Sequence, residues 1–276
     1  MMEAVSYTAQ WTAAARAVES ERGDGAMFDD PFARALAAPR GFELLEKYGG
    51  GGLVQFIAIR TKYLDDSIET ILRDSGIRQV VLIAAGMDTR AYRLDWPPGV
   101  TVYEVDHRAL VAEKGRRLAE LGARPATERR EVAADLAGQW LPALYDAGFD
   151  RDRPTLWVAE GLMFFLTQEQ ASGLLGALGS ASAPGSRLAV DFVSKALLRS
   201  PFSRAFLDGL REDGTPWLFG TDEPEEFLAG TGWKVRELKE PGEPGAGQGR
   251  WPYEVQPRDR RGASRSWLVR AEFAGR

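Results

Sequence analysis

The amino-acid sequence predicts an α/β fold in which a doubly wound, mostly parallel sheet carries helices on both faces. From residue 79 onward, short apolar runs alternate with stretches that have helical periodicity, as in chains whose parallel strands are joined by crossover helices. The first apolar run breaks at Gly86, and Asp106 ends the next run 20 residues later. This spacing is typical of a nucleotide-binding sheet, which holds its ligand at the carboxyl ends of the strands.

Composition limits the classes of protein that remain. With 276 residues and 44% apolar content, one α/β domain with added helices is favoured over two independent domains. A net charge of -5 argues against a nucleic-acid partner. The chain has no cysteine and one histidine, so thiolate and multi-histidine metal sites are excluded and no metal is expected. No leader-like segment and no apolar run of about 20 residues is present, so we expect a cytoplasmic protein without a membrane partner.

Residues 1–76 are predicted to form a helical cover that belongs to the same domain as the core at residues 77–276. The expected helices cover residues 4–20, 29–38 and 54–75. The third is the clearest, because its apolar residues recur at helical spacing and Gly76 provides a stop. A run of four glycines at residues 49–52 predicts a flexible joint before it.

The core elements follow from the alternation of the two patterns. The expected strands are residues 79–84, 101–105, 130–134, 155–159, 187–193, 233–238 and 266–273. The expected helices start at Thr89 and then cover residues 108–121, 137–146, 167–182, 195–212 and 224–228. The last two strands can close the sheet as an antiparallel hairpin, which makes one strand antiparallel to the rest.

A Pro/Gly-rich segment at residues 241–262 joins those two strands and is expected on the ligand side of the sheet. Its composition is usual for a mobile surface loop. Trp251 and Tyr253 keep open a second interpretation, a lid over the substrate.

The turn at Gly86 lacks the glycines of a pyrophosphate site. Asp88 and Ala91 occupy the second and third glycine positions, and a carboxylate at a helix start repels phosphate. A ligand with adenosine, no phosphate and a positive centre fits better, and S-adenosylmethionine, a sulfonium, has these properties. A nicotinamide-dependent oxidoreductase is disfavoured, because the sequence also lacks a Tyr-x-x-x-Lys pair.

Five ordered segments resemble a known family. They are residues 60–63, 85–90, 104–106, 135–136 and 159–162. Together they resemble the leucine carboxyl methyltransferase-like superfamily, in particular its bacterial branch of S-adenosylmethionine-dependent methyltransferases, over residues 8–193. The resemblance implies a class I methyltransferase fold: a Rossmann-like doubly wound sheet, mostly parallel with one antiparallel strand, with S-adenosylmethionine as the cofactor.

Three positions depart from the family pattern. Ala84 stands where the family has glycine, Met87 where it has leucine, and His107-Arg108 where Gln-Pro is common. All three lie at the edge of the expected cofactor site. They therefore leave the placement of the methyl acceptor more open than the identity of the cofactor.

Three candidate cofactor-binding residues follow from their chemistry. Gly86 lies where the backbone must turn sharply beneath the cofactor, although an ordinary turn is the alternative. Asp106 can accept hydrogen bonds from both ribose hydroxyls, unless it is a solvated strand-end residue. Arg60 lies at the edge of an apolar helix face and needs an anion, either the methionine carboxylate or a structural acidic partner.

The resemblance implies four further cofactor-binding positions. Asp135 and the backbone of Leu136 correspond to the adenine site, with helix capping as the alternative for Asp135. Glu160 corresponds to the residue that binds the α-amino group, with a structural ion pair as the alternative. Arg16 is a possible second basic residue near the cofactor carboxylate.

The predicted function is transfer of a methyl group to an oxygen, carboxylate or hydroxyl, of a small and apolar metabolite. The alternatives are methylation of a protein or peptide C-terminus, and a non-catalytic cofactor-binding module. No catalytic residue is assigned: a carboxylate acceptor needs no general base, whereas a hydroxyl acceptor would give His107 or a tyrosine that role. The sequence leaves the acceptor and the oligomeric state open.

Overall fold

In the computed structural model, residues 2–50 and 52–275 are described. Seven strands form one sheet in the order β3-β2-β1-β4-β5-β7-β6. The strands are β1 Gln79–Ile83, β2 Thr101–Asp106, β3 Glu128–Ala133, β4 Thr155–Ala159, β5 Arg187–Val193, β6 Trp233–Lys239 and β7 Ser266–Phe273. The helices are α1 Met2–Ser20, α2 Ala33–Tyr48, α3 Leu53–Ser75, α4 Arg90–Arg93, α5 Arg108–Glu120, α6 Leu141–Asp146, α7 Gln168–Ser180, α8 Lys195–Arg199, α9 Arg204–Glu212 and α10 Pro224–Ala229.

The pairing of the strands confirms the predicted fold class. Strands β1 to β5 pair in parallel, whereas β7 runs antiparallel to both β5 and β6. One strand is therefore reversed, and the carboxyl ends of the other six share one edge of the sheet. Ligands bind at that edge in sheets of this kind.

Both faces of the sheet are covered, which explains why the central strands read as continuous apolar runs. Every residue of β1 and β4 is buried. The apolar face of α3 packs on one side, with Leu64 and Ile68 against Val80 and Leu82. On the other side α7 belongs to a second cluster with the alternate residues of the strands. The cover predicted from the N-terminal sequence thus packs on the sheet, while its boundary at residue 76 stays a prediction.

Proline explains two of the differences between the predicted helices and the structure. Helix α2 does not end near residue 38 but kinks there, at Ala38 with φ 53°, and continues to Tyr48. The residue before a proline avoids the helical region, and Pro39 follows. The single helix expected at 195–212 is likewise split into α8 and α9, because Ser200 is extended before Pro201.

The helix predicted to start at Thr89 is only four residues long, Arg90–Arg93. Its neighbour α3 ends as predicted, with Gly76 in the left-handed conformation at φ 68°. Of the glycine run at 49–52, Gly49 follows the end of α2 and Gly52, at φ 79°, precedes α3. Gly51 lies outside the described residues.

The segment at residues 241–262 emerges at the carboxyl edge, as expected, and packs on the helical cover. Arg250 donates to both carboxylate oxygens of Glu19 in α1, at 2.7 and 2.9 Å. Gly247 lies against Ile59 of α3, so closely that a side chain there would overlap it. Within the described part of the chain, no helix is long and apolar enough to cross a membrane.

Candidate functional site

A cleft that opens to solvent lies at the carboxyl ends of β1 and β4. Helices α1 and α3 cover it from above. Four of the residues predicted to bind the cofactor line this cleft: Arg16, Arg60, Gly86 and Glu160. The structure thus brings together, from four separate segments, two guanidinium groups, a carboxylate and the glycine turn.

The turn after β1 has an unusual backbone and a close neighbour. Ala84 and Gly86 both have positive φ, 53° and 49°. A Cβ on Gly86 would lie 3.2 Å from the Cβ of Ala9 in α1. The sharp turn predicted at Gly86 is therefore present, and it is packed under the N-terminal helix.

Asp106 ends β2 beside this turn. Its Oδ2 accepts from the backbone N–H of Gly86 and its Oδ1 from that of His107, both at 2.7 Å. Burial raises the pKa of Asp106, although these two backbone donors act in the opposite direction. A carboxylate has about four acceptor positions, so two bonds leave capacity for further hydroxyl donors. Asp106 does not itself line the cleft as defined above.

Asp135 and Leu136 follow β3, one strand further along the edge. Asp135 is exposed and accepts from the backbone N–H of Ala137 at 2.9 Å, which is the capping role given as its alternative. The half-buried Leu136 packs against the core. Neither residue lines the cleft. Because the strand order is β3-β2-β1-β4, the candidates Asp135, Asp106, Gly86 and Glu160 nevertheless follow one another along the carboxyl edge.

Two nitrogen atoms of the Arg60 guanidinium bind acidic side chains. Its Nε donates to Oε1 of Glu160 at 2.9 Å, and its Nη1 to Oδ2 of Asp191 at 3.3 Å. Burial acts to lower the pKa of Arg60, but these two carboxylates outweigh it and raise the pKa. The structural ion pair considered from the sequence is thus present. The predicted contact with a cofactor carboxylate stays a prediction.

Glu160 connects Arg60 to a second buried arginine. Its Oε2 lies 2.6 Å from Nη1 of Arg90, whose guanidinium also contacts Asp88 and Asp65. Burial would raise the pKa of Glu160, but Arg90 and Arg60 lower it to about 2. Glu160 is therefore ionised at neutral pH, as binding of an ammonium group requires.

Asp88 and Arg16 hold the turn in place. Asp88 accepts from the backbone N–H of Arg90 at 2.7 Å. Burial acts against ionisation of Asp88, yet the positive charge of Arg90 leaves its pKa lowered. Arg16 pairs with Asp30 at 2.9 Å and donates to the carbonyl oxygen of Met87. This links α1 to the turn through a buried cation.

A family model described as leucine carboxyl methyltransferase matches residues 9–179 of the chain. The chain belongs to the leucine carboxyl methyltransferase family. The predicted family is thereby confirmed, and with it the prediction of an S-adenosylmethionine-dependent methyltransferase.

A relative supports this family, and two solved structures share the fold. A protein of Mycolicibacterium smegmatis named "putative S-adenosyl-L-methionine-dependent methyltransferase" is 39% identical over 251 residues, covering 84% of each chain. The crystal structure of a DUF574 family protein from Streptomyces avermitilis is similar with a TM-score of 0.67 and 17% identity, covering 96% of both chains. The crystal structure of a "putative methyltransferase" from Thermobifida fusca is similar with a TM-score of 0.61 and 20% identity, covering 94% of both chains. At these identities the two structures support the fold alone.

Three residues of this leucine carboxyl methyltransferase family member were missed from the sequence. Arg90 and Asp65 were not assigned a role, although each lies in or beside a quoted segment. Asp191 gave a clearer signal, because it is an acid inside the apolar run of β5 and is fully buried. Its Oδ1 accepts from the backbone N–H of Gly161 at 2.6 Å.

His107 takes up a different position from that of a general base. It precedes α5 and is half-buried, and it does not line the cleft. Its backbone N–H donates a hydrogen bond to Asp106.

Proposed function

We propose that this methyltransferase transfers a methyl group from S-adenosylmethionine to an oxygen atom, foremost a carboxylate, of a small and apolar acceptor. The observation that carries the proposal is the composition of the cleft. Ionised side chains line it beside the glycine turn, and aromatic side chains line its remainder. A zwitterionic amino acid suits the first part and an apolar molecule the second.

The residues at the carboxyl edge fit the cofactor in chemistry and in order. Arg60 and Arg16 would hold its carboxylate and Glu160 its ammonium group, while Asp106 would accept from its ribose hydroxyls. Asp135 and Leu136, one strand further along, would meet its adenine. Because Gly86 has no side chain, only backbone atoms lie at the turn between these two groups of residues.

The ion pairs described above imply an exchange on binding. Arg60 donates to Glu160 and Asp191 within the protein. A bound amino-acid group would take over part of this pairing, its carboxylate accepting from Arg60 and its ammonium donating to Glu160. Arg60 and Glu160 are then each paired with an opposite charge before and after binding, so neither is left as an unpaired buried charge.

When bound, the cofactor supplies a methyl group on a positively charged sulfur. An acceptor oxygen contributes the electron pair of the new C–O bond, while the C–S electrons return to sulfur and leave S-adenosylhomocysteine. A carboxylate acceptor is ionised at neutral pH, so the protein has only to exclude water and align the oxygen with the methyl carbon. A hydroxyl acceptor would lose a proton to a base, and His107 lies outside the lining of the cleft.

The reaction can be tested by mass spectrometry with S-adenosylmethionine carrying a labelled methyl group. We would offer small apolar carboxylic acids, phenols and alcohols, and peptides with a free C-terminus, with the Asp106→Ala variant as the negative control. We expect labelled esters of the small acids, which mild alkali cleaves, together with S-adenosylhomocysteine. Labelled ethers, which resist alkali, would show instead that the acceptor is a hydroxyl group. Labelled peptides would show that it is a C-terminal carboxylate. Cofactor binding with no methylated product in any class would support a non-catalytic module.

A further inference from the structure

Aromatic side chains from three parts of the chain form one wall of the cleft. We call Trp11, Phe164, Phe165 and Trp217 the aromatic wall, since all four line the cleft. The ring centroids of Phe164 and Trp217 are 4.1 Å apart, and those of Phe165 and Trp217 are 6.3 Å apart. Trp11, on α1, belongs to the same group of rings through Tyr48, at 6.4 Å.

The backbone fixes the position of Trp217 on this wall. The N–H of Leu218 donates to the carbonyl oxygen of Phe164 at 2.6 Å. Trp217 is also packed edge-on by Phe206 of α9, with centroids 5.1 Å apart. Trp11 is 4% exposed and is held by the packing of α1. The two indoles are thus held on ordered parts of the fold.

The two tryptophans of the wall share an unusual feature. Their Nε1 atoms are buried, and neither has a hydrogen-bond partner within the described part of the chain. Four other indole N–H groups have acceptors at 2.9 to 3.0 Å, those of Trp96, Trp157, Trp233 and Trp267. Buried donors are normally paired, so the N–H groups of these two cleft-lining residues each still have an acceptor to gain.

We propose that the aromatic wall is the binding site of the methyl acceptor, and that this acceptor is an aromatic carboxylic acid. The inference rests on the proposed function and gives it a substrate class. A flat ring system packs against the four aromatic side chains, as aromatic pairs do. The indole N–H groups of Trp11 and Trp217 then donate to oxygen atoms of the acid. An ammonium group has only donors to offer to those two positions.

Calorimetric titration of the full chain with 2-naphthoate, in the presence of S-adenosylhomocysteine, tests this site. The comparison ligand is 2-naphthylmethylammonium, which has the same rings and no acceptor. Trp11→Phe and Trp217→Phe keep an aromatic ring but remove the N–H donor, and Trp140→Phe, as buried as Trp11 and outside the lining of the cleft, is the matched control. S-adenosylhomocysteine is titrated separately into every variant.

We expect 2-naphthoate to bind the wild type and the Trp140→Phe control equally, and 2-naphthylmethylammonium to bind far more weakly. Each of the other two variants should raise the Kd of 2-naphthoate about 10-fold or more, the effect of one hydrogen bond to a charged group. Binding of S-adenosylhomocysteine should not change. If Trp11→Phe does not fold, the Trp217→Phe titration decides.

Two results would overturn the inference while the proposed function stands. One is binding of S-adenosylhomocysteine with no binding of 2-naphthoate, or with equal binding of the ammonium ligand. The other is an unchanged Kd for 2-naphthoate in the variants without the N–H donors. Failure of S-adenosylhomocysteine itself to bind the wild type would instead contradict the proposed function.

Discussion

The backbone N–H of Gly86 donates to Oδ2 of Asp106 at 2.7 Å, joining the turn after β1 to the end of β2 across 20 residues. The carboxylate therefore has a structural partner before any ligand binds. Its second oxygen accepts from His107 in the same way. Asp106 thus shapes the turn and retains acceptor capacity for hydroxyl groups, so its two roles should be lost together.

Replacing Asp106 with asparagine should weaken cofactor binding. The amide keeps one oxygen acceptor but places a donor where the carboxylate accepts, opposite either Gly86 or His107. At about 1.5–3 kcal/mol for each hydrogen bond to a charged group, we expect the Kd of S-adenosylhomocysteine to rise about 10- to 100-fold in calorimetric titrations. Asp146→Asn, at an exposed position on α6, is the control. Unchanged affinity in Asp106→Asn would remove this residue from the proposed site.

The raised pKa of Asp106 predicts an acid limit to cofactor binding. Because burial raises this pKa, the carboxylate takes up its proton at a higher pH than an ordinary aspartate. Affinity for S-adenosylhomocysteine should be full at neutral pH and fall as the pH drops through the raised pKa. The contribution of Asp106 to the free energy of unfolding has the opposite pH dependence. It is fully present below the ordinary aspartate pKa and is lost as the pH rises through the raised pKa.

Calorimetry between pH 4 and 8, a range that starts near the ordinary aspartate pKa of about 3.9 and extends above it, measures this limit. The Asp106→Asn variant should show a flatter profile over the same range. A wild-type profile that is equally flat would contradict the assignment.

The sequence predicted the sheet better than it predicted the ion pairs of the site. Strands β5 and β7 have the predicted bounds, because each is an apolar run closed by polar residues or turns. Arg60, by contrast, pairs with Asp191, 131 residues away, and no local pattern encodes which acid packs against it. Likewise, the close approach of Ala9 to Gly86 depends on how α1 packs on the turn. Residue types at strand ends were predictable, but their partners depend on tertiary packing.

Ala84 provides a test of backbone strain at the turn. Its φ of 53° lies in the left-handed region, where a side chain costs about 1–2 kcal/mol and glycine costs little. We expect Ala84→Gly to raise the free energy of unfolding by about 1 kcal/mol, less the entropy that glycine gains in the unfolded chain. Ala119→Gly, at an exposed position in α5, should lower it by about 1 kcal/mol.

Urea unfolding of the two variants measures both changes against the wild type. Opposite signs are the expected outcome, since both variants lose the same methyl group and differ in backbone conformation. A loss of stability in both variants would show that Ala84 is not strained.

The ion pairs of Arg60 should matter far more than those at the surface. Arg60→Met would leave the buried Asp191 and part of Glu160 without a cation, and breaking a buried pair in this way costs about 3–5 kcal/mol. Arg34→Met removes a pair with Glu21 whose side chains are 61% and 48% exposed, so almost no change in the free energy of unfolding is expected. Denaturant unfolding compares the two. Similar small losses would mean that Asp191 and Glu160 find other partners.

Gly161 should control the position of Arg60, and a second glycine with the same backbone conformation allows this to be isolated. Gly161 and Gly122 both have φ of 65°. A Cβ on Gly161 would lie 3.1 Å from Nη1 of Arg60, whereas one on Gly122 would meet nothing within 4 Å. Both alanine variants should therefore lose about 1 kcal/mol or more of stability from the left-handed backbone. Only Gly161→Ala should also push the guanidinium aside.

We expect Gly161→Ala to raise the Kd of S-adenosylhomocysteine severalfold, while Gly122→Ala leaves it unchanged at the same loss of stability. Calorimetric titration together with thermal unfolding of both variants gives the two readouts. Equal affinities in the two variants would mean that Arg60 tolerates displacement, and its proposed contact with the cofactor carboxylate would then be wrong. A selective loss in Gly161→Ala would place that contact within reach of the carboxyl end of β4, because Gly161 follows Glu160 directly after that strand.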